Sequence, residues 1–92
     1  MRYANHYILS ELLRVVEGGD PHVIRREFAK YMRRYRDDSG LLSVGKSALY
    51  AASLTNGTVE DLRARLKRMR EMRRLEAVSR CAGLLAGQIS YR

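Results

Sequence analysis

The chain has 92 residues, with 18 Lys and Arg against 10 Asp and Glu, and so a net charge of +8. That length holds one helical domain, 1–92, with a modest core and no room for a second, and the charge selects anionic partners: nucleic acid first, then an acidic protein surface, then anionic lipid. One cysteine, Cys81, excludes an internal disulfide and fits a reducing cytoplasm, and no apolar run approaches the roughly 18 residues of a membrane span.

From Tyr3 to Glu17, the residues Ala4, Tyr7, Ile8, Leu12, Val15 and Val16 recur at helical spacing, and Gly18-Gly19 ends the pattern. Glu11 interrupts this apolar stretch and no small-residue cleavage site follows it, so a secretory signal is not expected. Asp20-Pro21 opens a second helix, because Asp caps exposed amides and Pro is tolerated in the first turn. Its apolar stripe is Ile24, Phe28, Tyr31, Met32 and Tyr35. Between Pro21 and Arg36 six cations, Arg25, Arg26, Lys30, Arg33, Arg34 and Arg36, are opposed by Glu27 alone.

Asp37 to Gly40 reads as a loop. A third helix is predicted over Ser43–Leu54, with small residues Gly45, Ser47, Ala48, Ala51, Ala52 and Ser53 allowing close approach, and Asn56-Gly57 closing it. The segment Gly40-Leu-Leu-Ser-Val-Gly45-Lys46-Ser47 matches the phosphate-binding P-loop pattern letter for letter. A P-loop follows a buried strand, however, and here a basic helix end and an acidic turn precede it. The match is read as coincidental, with phosphate binding by Lys46 at a helix start the lesser alternative.

Thr58, with Asp61 three residues on, is the predicted N-cap of a long fourth helix that runs to Arg92. Val59, Leu62, Leu66 and Met69 share one face. Leu75, Val78, Ala82, Leu85 and Ile89 share another, about 160° away if the helix is straight. Two opposed stripes need two neighbours, so the second is predicted to be a homodimer interface. A bend within Met69–Leu75 would instead turn both stripes to one core. Ser79, Gly83 and Gly87 repeat every fourth residue, which permits close packing or fraying.

The expected architecture is all-α, a small four-helix bundle-like domain with a long C-terminal helix, dimeric. His6, His22 and Cys81 have no metal-ligand spacing, and no nucleophile–base arrangement stands out, so no enzyme activity, metal or cofactor is expected. The candidate binding residues are Arg25, Arg26, Lys30, Arg33 and Arg34 on the second helix and Arg63, Lys67, Arg70 and Arg74 on the fourth. Each row is spaced to follow a phosphate backbone, and Arg is suited to fork onto phosphate oxygens. Tyr31 and Tyr35 are read as core rather than base-stacking residues. A helix-turn-helix over Ala51–Leu66 is disfavoured because Glu60 and Asp61 would enter the groove first.

The leading expectation is a cytoplasmic regulatory protein that binds DNA or RNA mainly through phosphates. The alternative is an adaptor or inhibitor of the kind phage and other mobile elements encode, docking its basic face on an acidic protein. Attachment of the second helix to anionic membrane is a third reading.

Overall fold

A computed structural model describes the backbone of residues 3–90 and the side chains of residues 3–80. Four helices follow in order: α1 His6–Gly18, α2 Pro21–Arg34, α3 Ser39–Tyr50 and α4 Asn56–Ser90. No strand occurs among the described residues. The packing is cyclic, with α1 against α2 and α4, and α3 against α2 and α4.

Each helix start has a local cause. The Asn5 side chain accepts from the Ile8 amide and Asp20 from the His22 amide, with Pro21 opening α2. Gly19 ends α1 at φ 76°, a left-handed conformation in which its N–H donates to the Val16 carbonyl. α1 is thus shorter at its start than the predicted Tyr3–Glu17, and Tyr3 to Asn5 lead into it outside the helix. Its buried line is Leu9, Leu12, Leu13 and Val16, while Tyr7 is exposed. This line holds the branched aliphatic side chains, whose burial gains most.

The stripe of α2 is as expected, with Ile24, Phe28 and Tyr31 buried and Met32 and Tyr35 half-buried. Met32 lies over Gly45 of α3, where a β-carbon would collide with its sulfur and γ-carbon. The small residue is what lets α2 and α3 approach at this point.

The boundaries of α3 and α4 differ from the sequence reading. α3 begins at Ser39, so the predicted loop at Ser39-Gly40 is helix, and it ends at Tyr50 instead of Leu54. The cause is Asp38, whose side chain caps the Leu41 amide. Thr55, not Thr58, caps α4: its hydroxyl accepts from the Thr58 amide and its carbonyl from the Val59 amide. Asn56-Gly57 therefore lies in the first turn of α4 and does not close α3.

α4 is helical without interruption through Met69–Leu75. Leu62 and Leu66 are fully buried, and Val59 and Met69 pack at the core edge. The inward line then continues through Arg73 and Ala77, which are half-buried, while Leu75 and Val78 point outward at 56% and 60% exposure. Ala82, Leu85 and Ile89 lie within the helix, but their side chains fall outside the described residues.

Arg73 is on the inward line because Asp38 is there. The Asp38 carboxylate is fully buried. Arg73 grips it with two N–H···O bonds of 2.9 Å, one from each terminal nitrogen. The Ala4 amide donates to the same carboxylate at 3.0 Å, and Arg73 also donates to the Ala4 carbonyl at 2.7 Å. One carboxylate thus joins the entry to α1, the start of α3 and the middle of α4.

Burial alone would raise the Asp38 pKa. The Arg73 hydrogen bonds, the Leu41 and Ala4 amides and the Arg73 charge together outweigh it and hold the carboxyl below its ordinary value.

Asp38→Ala would strand the Arg73 charge and two amides, and is expected to cost about 3–5 kcal/mol in urea unfolding followed by circular dichroism. Because the folded pKa is lowered, the ionised carboxylate's contribution is complete well above the unfolded pKa of about 3.9 and disappears as pH falls through the folded value. The stability gap between wild type and Asp38→Asn should therefore be flat from about pH 6 to 8 and narrow below about pH 4. A gap unchanged at low pH would show that the carboxylate charge is not what stabilises the junction.

Candidate functional site

The predicted cations occupy three kinds of environment. Arg26 and Lys30 stand on the solvent face of α2, with side chains 70% and 52% exposed, and both reach Glu27. Lys30 Nζ lies 2.8 Å from Glu27 and Arg26 Nε 3.6 Å. The Lys30 hydrogen bond holds the Glu27 carboxyl below its ordinary pKa, and the same bond raises that of Lys30. Further along, Arg33 and Arg34 are exposed at the end of α2, with Arg36 just beyond. A helix C-terminus favours cations there. The Arg34 guanidinium stands 5.7 Å from the Tyr35 ring centre and Lys30 4.7 Å from that of Tyr31, and the two rings stack at 6.2 Å. Tyr31 is buried, as expected of a core residue.

Arg25 belongs to a different environment. It is half-buried, its Nη2 donates to the Ala51 carbonyl at 3.4 Å, and its Nε is buried without a hydrogen-bond partner. It joins α2 to the end of α3 and is not on the solvent-facing row.

On α4 the row is less open. Arg63 is half-buried and lies 4.0 Å from Glu17 of α1, and Arg74 pairs with Glu71 at 2.6 Å. That bond lowers the Glu71 pKa and raises that of Arg74. Lys67 is exposed and Arg70 half-buried. α2 and α4 make no direct contact among the described residues, because α1 and α3 lie between them. The two basic rows are thus separate faces, and α2 carries the less compensated one.

Two arginines not among the predicted site residues do structural work. Arg73 completes the Asp38 junction. Arg65 donates to Ser43 at 2.7 Å and to Ser47 at 2.9 Å, tying α4 to α3. Arg73 carried a signal in the sequence: it falls four residues after Met69, on the extension of the apolar line, where a charge needs a buried partner.

The P-loop-like segment Gly40–Ser47 is entirely within α3. A phosphate-cradling loop needs successive amides turned to one side and free to donate, whereas amides inside a helix are directed at carbonyls four residues back. Lys46 is exposed on this helix and lies well past its first turn. Between Tyr3–His6 and the Arg73–Arg80 stretch of α4 lies an open groove of about 710 Å³. None of the predicted cations lines it. Among the described residues no three His, Cys, Asp or Glu side chains are placed to hold a metal ion, and no helix is long and apolar enough to cross a membrane.

Comparison with protein-family models, curated proteins and solved structures finds no significant match in any of the three.

MgATP at about 1 mM is expected to leave the Tm of the protein unchanged. Binding at a hundredfold excess over Kd would add about 2.7 kcal/mol and several degrees, so a rise of that size would overturn the coincidental reading of the motif.

Proposed function

We propose that the protein binds nucleic acid through the solvent face of α2, contacting phosphates and reading few bases. The observation that carries this is the row Arg26, Lys30, Arg33, Arg34 and Arg36, exposed along and just past one helix, with Glu27 the one acid between Pro21 and Arg36. Arg26 to Arg33 spans about 10 Å by helical rise, enough to meet more than one phosphate. Exposed guanidinium groups supply forked donors for phosphate oxygens. Lys67, Arg70 and Arg74 on α4 form a weaker second face. In this reading the four helices make a bundle-like body of a cytoplasmic regulatory protein. It is a homodimer whose subunits meet along Leu75, Val78, Ala82, Leu85 and Ile89. The same α2 face would equally suit an acidic protein surface, and the test separates the two.

Purified, nuclease-treated protein should be titrated against labelled duplex DNA, single-stranded DNA and structured RNA at about 150 mM salt, where weak attraction between exposed charges is screened. Binding in the micromolar range or tighter to at least one form is expected, with affinity falling roughly tenfold or more in Arg26→Ala/Arg33→Ala. On duplex DNA the salt slope should become shallower by about 0.9 per lost contact and should not depend on base sequence. No binding tighter than about 100 μM to any of the three would sink the nucleic-acid reading and direct attention to an acidic protein partner.

A further inference from the structure

We propose that the outward face of the distal half of α4 is where a second copy of this chain packs, and that it packs antiparallel. This deepens the homodimer reading above and is independent of nucleic-acid binding.

α1, α2 and α3 have 13, 14 and 12 residues, whereas α4 has 35. By helical rise the first three are about 18–21 Å long and α4 about 52 Å. The molecule measures 58 × 23 × 16 Å, so α4 overreaches the body it helps to build. Where it leaves the body, its inward line is occupied by Arg73 and Ala77. Leu75 and Val78 stand on the opposite side, bordered by Met72 at 61% exposure. The positions of Ala82, Leu85 and Ile89 continue the Leu75–Val78 line along the helix. Among the described residues, α1 and α3 are the helices that pack against α4, where Leu62 and Leu66 are buried, and they leave Leu75 and Val78 exposed.

Charge identifies the occupant. From Cys81 to Ser90 no side chain is ionisable as an acid or base of the Asp, Glu, Lys or Arg type, and nearly all of the net charge of +8 lies before it. An anionic ligand finds nothing to pair with on this stretch. A second copy finds an apolar line that matches its own and a stretch of helix that carries no charge to repel it. The same charge fixes the direction. Parallel pairing would set the basic first halves of the two α4 helices, with Lys67, Arg70 and Arg74 on each, side by side at the interaxial distance of about 10 Å for packed helices. Antiparallel pairing places them at opposite ends, with the two Arg73 positions about 27 Å apart along the axis if the two-fold passes near Ala82. Residues 72–90 span about 28 Å, and two helices in contact over that length bury on the order of 1,000 Å² in total, the lower edge of a stable interface. The expected dissociation constant is therefore micromolar. The two α2 faces would then sit on separate bodies of one particle, allowing a bivalent grip.

The test is the mass of the nuclease-treated protein by sedimentation equilibrium, with no nucleic acid present. The chain is 10.6 kDa, and wild type is expected to reach twice that mass at about 100 μM. Leu75→Glu/Val78→Glu, whose parent side chains are exposed in the single chain, is expected to keep its helical circular dichroism and stay at the one-chain mass. Orientation is read by electron–electron resonance between spin labels on Arg68→Cys in a Cys81→Ser background. About 40 Å is expected for antiparallel pairing and under about 20 Å for parallel. A one-chain mass for wild type overturns the proposal, whether or not the face then adsorbs to phosphatidylcholine vesicles. A two-chain mass with the short distance leaves the homodimer standing and overturns the antiparallel arrangement. Either result is separate from the oligonucleotide titrations.

Discussion

A single buried carboxylate sets the geometry of this molecule. Asp38 receives the Leu41 amide that starts α3, the Ala4 amide that fixes the entry to α1, and both terminal nitrogens of Arg73 from α4. An ion pair out of water gains little over apolar packing of the same volume, but removing one partner leaves a charge with no compensation. For a chain of this size, with total stability of about 5–14 kcal/mol, that asymmetry makes the junction close to obligatory. It also explains the path of α4. Having Arg73 on the inward line requires Leu75 and Val78, two and five residues later, to lie on the other side of the helix.

The junction also separates cations that build the protein from cations that a partner can reach. Arg73, Arg65 and Arg25 are held by Asp38, by Ser43 and Ser47, and by the Ala51 carbonyl. Arg26 and Lys30 are partly compensated by Glu27, and Arg74 by Glu71. The net charge of +8 therefore overstates what a ligand meets at most points of the surface. A cluster of it stands toward the end of α2 and just beyond, where Arg33, Arg34 and Arg36 are exposed and the helix terminus itself favours positive charge. This concentration, more than the total, gives the basic face of α2 its claim to an anionic ligand.

Much of the local structure was legible from residue spacing. Asp20-Pro21, the Ile24–Phe28–Tyr31 stripe, Gly18-Gly19 and the Leu62–Leu66 line each act through neighbours within a turn or two, so the sequence window that shows them also contains their cause. The placement of Leu75 and Val78 away from the Leu62–Leu66 line was legible for the same reason. At the starts of α3 and α4 two adequate local signals compete. Asp37 to Gly40 has loop composition, and Thr58 with Asp61 looks like a capping box. Asp38 and Thr55 provide the caps in the folded chain.

Four helices, the apolar stripe of α2, the first stripe of α4 and the surplus of arginine on α2 follow from the order of residues alone, because helical periodicity and capping are short-range properties. It took the packed helices to bring Asp38 and Arg73, 35 residues apart, into one buried site, to turn Arg25 inward, and to place the basic rows on α2 and α4, which make no contact among the described residues. Those outcomes depend on which groups lose water together when the helices pack. Arg73, on the extension of the apolar line, shows that it needs a buried partner, but a lone Asp in a polar turn carries no local mark that it is the one.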